Sequence, residues 1–462
     1  MKIFTNLLTI ILFITLFHNV LKSQNYIMPE ETEQHEGTWL QWPHHYTYGM
    51  FYRNSLDQTW VDMTSALISS EKVHIIAYND SEKNRIINLL EDGNIPLTNI
   101  DFFIFQTDDV WIRDNGPIFV ENEENEQVIL DWGFNGWGND APYDNCDIIP
   151  SLISSIIDLP IVDLSAMVFE GGALEHDGRG TMMATRSSVT HSSRNPDLTE
   201  EEIEQYLTNN LGITKFLWLD GVYGLEITDM HIDGVMKFAN SNTIVTMNNE
   251  DLLYWELSQS DIDILYGATD IDNEDYNFVY IPLTQNDVTT AYGYNLGYKG
   301  SYANYYIANT VVLVPNYNDP NDNIANNIIQ AFYPNRTVVG IDVRNLYENG
   351  GMVHCVTQQQ PIDNSTGILE PLNNDFKLFQ NKPNPFNKYT EIDFILDKKS
   401  LVELEIYNLY GRKLKNINYS ELPSGKHSVT FNSDNFENGI YTYNLLINNK
   451  KRTYNRKLVI IK

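Results

Sequence analysis

Residues 349–361 read NGGMVHCVTQQQP. Cys355 is one of only two cysteines in 462 residues, with His354 beside it and Gly350 and Gly351 just upstream. A lone cysteine is more often a small buried hydrophobe than a nucleophile. Three features point the other way here. The paired glycines let the backbone approach a ligand closely. The polar run 357–360 is a poor wall for an apolar core. A histidine and carboxylates elsewhere in the chain offer the partners that a reactive thiol requires. A zinc site built from Cys355, His354, His231 and Asp233 is the other reading, without the paired CxxC or HxxxH spacing such sites usually show.

Three further stretches carry the same kind of residue. Residues 107–117, TDDVWIRDNGP, set Asp108, Asp109, Arg113 and Asp114 around Trp111. Residues 169–181, FEGGALEHDGRGT, read as a strand end running into a Gly-rich turn. In residues 227–238, ITDMHIDGVMKF, His231 and Asp233 are two apart. On a strand that spacing puts both on one face and Met230 and Ile232 on the other. Such a strand either builds a polar site or is a solvent-facing edge.

Between Asp114 and Gly178 the chain has no Lys or Arg, while acids recur and Trp132 and Trp137 are embedded. Paired carboxylates grip a guanidinium through N–H···O bonds, and an indole face favours a planar cation. A pocket lined by this segment would welcome a cation. An acidic surface like that of the whole chain accounts for part of the pattern but not for the tryptophans.

The totals agree with such a partner. Sixty-two acids against 30 Lys and Arg give a formal charge of -32, which repels nucleic acid and anionic lipid. Residues 1–23 have a lysine followed by a short apolar run, the pattern of an export signal, with a membrane anchor as the alternative. No later run is long enough to span a bilayer, so the mature chain is expected to be soluble. Export favours disulfides, yet Cys146 and Cys355 allow one bridge at most, and a free thiol stays open.

From 24 to 361, helical and β-branched segments alternate, which is an α/β or α+β pattern without an exact repeat. Thr199 is an expected helix N-cap, with Gly212 at the far end. Residues 362–375 read as a linker. Residues 376–462 turn to short alternating runs split by turns, an all-β sandwich of about 85 residues.

The stretches quoted above are joined, in order, by MPEETEQHEGTWLQWPHH (28–45), DWGFNGWG (131–138) and SYANYYIAN (301–309). Together they resemble the agmatine deiminase and bacterial-type peptidylarginine deiminase family over about residues 28–361. The resemblance implies a pentein fold, a five-bladed α/β propeller of ββαβ units around a substrate channel. It makes Cys355 the nucleophile, His231 the general acid and base, and Asp114 and Asp233 the holders of the guanidinium. Trp111 would pack on the substrate, Asn304 and Gly351 would support the site, and Glu226 would bind the substrate's far end. The implied chemistry is conversion of a guanidinium to a ureido group plus ammonia through a covalent thiouronium, without metal or organic cofactor.

DWGFNGWG looks like the agmatine-type members, giving agmatine to N-carbamoylputrescine as the expected reaction. The peptidylarginine type is expected to carry arginines nearby, and this segment has none. Two departures touch amine-end recognition: GLEITDMHID has one residue more than the usual GDETDGHID, and Glu175 stands where a histidine is usual. Residues 376–462 resemble the C-terminal sorting domain of type IX secretion substrates. That implies Sec export, the type IX machinery as partner, and release or attachment at the cell surface. Such an address favours the alternative of a secreted protein-arginine deiminase. A non-catalytic surface protein on the same scaffold, or a cysteine amide hydrolase, are the remaining alternatives.

Overall fold

The computed structural model describes residues 26–363, 376–378, 381–396, 399–408, 413–434, 436–447 and 456–462. The expected signal segment lies outside them, as does the expected linker beyond its first two residues. The chain divides after Ile362 into two compact units.

In the first unit, β1 (His35–Gln41), β2 (Lys72–Ala77) and β3 (Ile100–Ile104) are parallel neighbours. Next in the chain come β4 (Ile118–Glu121), β5 (Gln127–Gly133) and β6 (Ile161–Val168). They are followed by β7 (Glu175–His176), β8 (Thr181–Thr185) and β9 (Lys215–Leu219). A further set is β10 (Met236–Asn240), β11 (Thr243–Thr246) and β12 (Asn277–Tyr280), and the last is β13 (Tyr306–Ile307), β14 (Val311–Asn316) and β15 (Thr337–Asp342).

Each of these four triplets is its own sheet with one pattern. Its first strand is antiparallel to the second, and the second is parallel to the third. A parallel pair needs a crossover, and helices such as Glu200–Leu211 and Asp322–Phe332 supply it. The remaining sheet carries the same pattern in β16 (Gln358–Pro361), β1 and β2, because β16 lies antiparallel to β1, and adds β3 as a further parallel strand. The chain therefore closes its ring by pairing residues from the two ends of this unit, and the five-bladed pentein propeller expected from the resemblance is present. The repeat is one of hydrogen-bond topology and not of sequence.

Local signals behave as their chemistry requires. Thr199 caps the helix Glu200–Leu211 in a reciprocal capping box with Glu202, and Gly212 ends it in the left-handed conformation. The expected strand through His231 is corrected. Asp229 and Met230 both have positive φ, +58° and +70°. Neither value is compatible with extended chain, so His231 leads into a single helical turn, Ile232–Gly234, and β10 starts only at Met236.

That turn recurs. Between the third strand of one blade and the first of the next lie Ile112–Asn115, Gly171–Ala173, Ile232–Gly234 and His354–Val356. Residues 301–304 hold the equivalent place in the blade of β13 to β15. These four turns and the loop 301–304 thus come together at the centre. Among the described residues no helix is long and apolar enough to cross a membrane.

The second unit has two antiparallel sheets. β17 (Phe376–Leu378), β18 (Tyr389–Leu396) and β21 (Gly425–Asn432) form one. β19 (Ser400–Asn408), β20 (Lys413–Leu422), β22 (Gly439–Ile447) and β23 (Arg456–Ile460) form the other. Alternate residues such as Ile392, Phe394, Leu404 and Ile406 point into a shared apolar core.

Candidate active site

The central turns deliver their side chains to a cavity of about 740 Å³ lined by Trp111, Asp114, His231, Asp233, Gly351 and Cys355. Cys355 sits in the turn His354–Val356, partly open to the cavity. Its Sγ is 3.3 Å from Asn304 Nδ2 and 3.9 Å from Asp233 Oδ2. Asn304 also accepts a hydrogen bond from the His354 N–H at 3.0 Å, so it fixes the turn that presents the thiol. Asn309, close by in sequence, does different work: it pairs with the His35 backbone in both directions.

Burial, together with the Asp233 and Asp114 charges, pushes the Cys355 thiol well above its ordinary value. A thiol in that state is a poor nucleophile until a cation arrives. The site holds a neutral sulfur beside two acids.

His231 lies between acids. Its Nε2 is 2.8 Å from Glu170 Oε2 and its Nδ1 is 3.5 Å from Asp114 Oδ1. Burial works against its charge, but Asp114 and Glu170 outweigh burial and hold it up at about 9. Asp114 is lifted by burial to about 6, against the pull of His231. It accepts from Trp137 Nε1 at 3.1 Å and from the Gly172 N–H at 3.0 Å. Asp233 goes the other way. Burial opposes its charge, but the His354 hydrogen bond prevails and keeps its carboxyl below the usual range. Environment alone separates the two acids.

Space at the centre is tight enough to dictate glycine. A Cβ on Gly172 would lie 2.5 Å from His231 Nδ1 and 2.8 Å from Asp114 Oδ1. One on Gly351 would fall on the Trp111 ring itself, so the glycine lets that indole form the cavity wall.

All eight residues singled out in the sequence line or touch this site, with one qualification. Glu226 lines the cavity, but its Oε1 accepts from the Met230 N–H and Thr228 Oγ1, each at 2.6 Å. Its carboxylate is largely engaged by its own loop. Sequence reasoning missed Glu170 and Gly172, although both lie in the quoted EGG; it named Asp109 without a role, and the Tyr48 hydroxyl bonds it inside the cavity. It also missed the partner of Glu170: Arg194 bonds Glu170 at 2.9 Å and Asp229 at 2.5 Å. Glu175, at the position of a usual histidine, forms a buried pair with Lys237 at 3.0 Å. Cys146 is buried and free, its sulfur accepting the Asp108 N–H at 3.3 Å.

Comparison with known proteins fits this geometry. The Porphyromonas-type peptidyl-arginine deiminase family profile matches residues 27–361, and that of the secretion system C-terminal sorting domain matches 382–461. A Listeria monocytogenes relative, provisionally named agmatine deiminase 1, is 30% identical over 362 residues, 74% of this chain and 98% of its own. The structure of the Enterococcus faecalis agmatine deiminase superposes with a TM-score of 0.64 and 27% identity, covering 73% of this chain and 96% of the other. A cysteine-to-serine variant of the C. jejuni agmatine deiminase, solved with substrate bound, gives 0.63 and 25%, covering 72% and 96%. The sorting domain marks the chain for secretion or the cell surface. With a thiol, an imidazole and two carboxylates gathered by three of the central turns, the chain belongs to the Porphyromonas-type peptidyl-arginine deiminase family, hydrolases that act on the C–N bonds of linear amidines.

Proposed function

We propose that the protein is an exported deiminase of small cationic guanidines, with agmatine as the expected substrate and N-carbamoylputrescine and ammonia as products. The observation that carries the reading is the convergence of Cys355, His231, Asp114 and Asp233 on one cavity. Its lining supports a cationic ligand. Asp109, Asp114, Glu226, Asp233 and Glu256 contribute carboxylates, while among the described residues Lys299 is the one lysine there and no arginine joins it.

In this mechanism Asp114 and Asp233 take the guanidinium nitrogens and set the central carbon against the sulfur. The substrate's positive charge offsets the two acids that hold the thiol protonated, so the thiol gives its proton to solvent as substrate binds, and released ammonia takes up that proton as ammonium. Sulfur adds to the carbon. The C–N bond to one terminal nitrogen breaks, and His231 supplies the proton with which ammonia departs. The product of that step is an S-alkylthiouronium on Cys355. Neutral His231 then takes a proton from water as the oxygen adds to the same carbon, and the C–S bond breaks to leave a ureido group and restored thiol. Guanidinium and water go in; ureido product and ammonium come out. No step uses a metal or an organic cofactor. Export would begin with Sec recognition of residues 1–23 and finish through the type IX machinery acting on the sorting domain.

A second reading, peptidyl-arginine to peptidyl-citrulline, is favoured by the same sorting domain and by the cavity's size. About 740 Å³ is more than a linear four-carbon amine needs. The test is ammonia release from agmatine, free arginine and an arginine-containing peptide, with Cys355→Ala alongside. Release from agmatine, lost in the variant, is expected. Release from the peptide alone replaces the first reading with the second, and a folded, reduced protein silent on all three removes both.

A further inference from the structure

The central turns have two faces. Asp114 and Cys355 line the large cavity, whereas their neighbours Arg113 and His354 line a second, much smaller space of about 20 Å³, together with Glu31 and Lys237. Glu31 belongs to the segment before β1 and is held from several blades. The Ile307 N–H donates to its Oε1 at 2.7 Å. Lys237 Nζ and His354 Nε2 approach its Oε2 at 3.0 and 2.9 Å, and Arg113 Nη2 lies 3.9 Å away. Burial opposes the Glu31 charge, but Lys237 and His354 outweigh it and hold the carboxyl well below its usual range.

His354 is thereby placed between two carboxylates. Its Nε2 faces Glu31 and its Nδ1 donates to Asp233 Oδ2 at 2.8 Å. Lys237 Nζ lies 3.2 Å from the same Nε2, so the outer nitrogen meets both a carboxylate and an ammonium while Nδ1 serves Asp233. We propose that Glu31 and His354 form a carboxylate–histidine relay, reaching Asp233 from the side away from the large cavity and holding it in the orientation that receives the guanidinium. Both are positioning residues, since neither lines the substrate cavity. The inference rests on the proposed role of Asp233. It also gives the segment just after the expected export signal a place in the active site: the ring of blades alone does not complete it.

Charged groups surround the relay on every side. Asp233 faces His354 and Cys355 directly and feels His231, Asp114 and Arg113. His354 faces Asp233, Glu31 and Lys237, with Glu175 behind the lysine and Arg113 Nε donating to its carbonyl at 3.3 Å. Within this set the His354 ring is the group bonded directly to both Asp233 and Glu31.

The test uses the full chain and agmatine as probe, with binding measured by calorimetry at neutral pH in a Cys355→Ala background and turnover measured in the active enzyme. In His354→Asn the amide nitrogen can stand in for Nδ1, so binding is expected to stay close to that of the unchanged chain. In His354→Gln the donor to Asp233 is lost, and agmatine binding is expected to weaken about tenfold or more. Glu31→Gln should weaken it about threefold, with the effect in KM rather than kcat. The acid limb of kcat/KM should steepen in His354→Gln, since Asp233 then takes up a proton alongside Asp114. Loss of stability or kcat with binding unchanged in both His354→Gln and Glu31→Gln overturns the relay, as does Asn proving no better than Gln. If Glu31→Gln fails to fold, Glu31→Asp is measured in its place, and unchanged binding there counts against the relay. Turnover of agmatine that depends on Cys355 while these variants bind normally leaves the proposed function standing and removes the relay alone. No guanidine bound or hydrolysed by the otherwise unchanged chain removes both.

Discussion

The two units solve opposite problems with their interiors. In the unit after Ile362 the shared core is apolar: Ile392, Phe394, Val402, Leu404, Ile406 and Leu445 fill the space between two sheets. In the propeller the blades have such cores too, but the centre they surround is polar, with Asp114, Asp233, His231, Glu170 and Arg194 all buried. Burying ionised groups is costly unless each has a partner. A propeller can meet that cost because five blades bring partners from five directions. A two-sheet sandwich offers only two facing surfaces, and its interior settles for packing. Chemistry belongs to the first unit and address to the second.

Changes at the polar centre should have the largest effect. Cys355→Ala removes the proposed nucleophile and is expected to lower kcat by about 10⁴-fold or more, read as ammonia release, with the fold intact by circular dichroism. Gly172→Ala comes next. The added methyl falls on His231 Nδ1 and Asp114 Oδ1, and moving either group by about an ångström should cost about 10²-fold in kcat/KM. A Gly172→Ala enzyme of normal activity would mean the centre is looser than its geometry.

The pH profile bears on the contrast between the two acids. Below about 6 Asp114 takes up a proton and, on the proposed mechanism, loses its grip on a cation, and above about 9 His231 loses the proton proposed to leave with ammonia. The plot of kcat/KM against pH should therefore fall on both sides of a plateau between those values, and Asp114→Asn should abolish the plateau. Because His231 is raised from 6.5, the stability its charge contributes is complete below 6.5 and is lost as pH rises through about 9. Smallest is the expected effect on catalysis of removing the second unit. A chain ending at Asp363 should keep kcat/KM within about twofold while losing export. A large loss of activity would show that the sorting domain does more than carry an address.

Whatever depends on near neighbours was legible along the chain. Thr199, Glu202 and Gly212 announced a helix and its ends because capping acts within a few residues. The alternation in β18 announced a sheet face because side chains alternate along any strand. Cys355, His231, Asp114 and Asp233 were legible as residue types in short motifs. The rest emerges only on folding. The strand expected through His231 gave way to a turn, since two successive positive φ values at Asp229 and Met230 bend the chain. The fivefold repeat was hidden because β7 and β13 are two residues long, too short to leave a pattern, while pairing of β1 with β16 joins segments more than 300 residues apart. The partners that separate Asp114 from Asp233, and Glu31 from an ordinary N-terminal acid, come from different blades. Electrostatic environment is a property of what surrounds a group in space, and no local stretch of chain carries it.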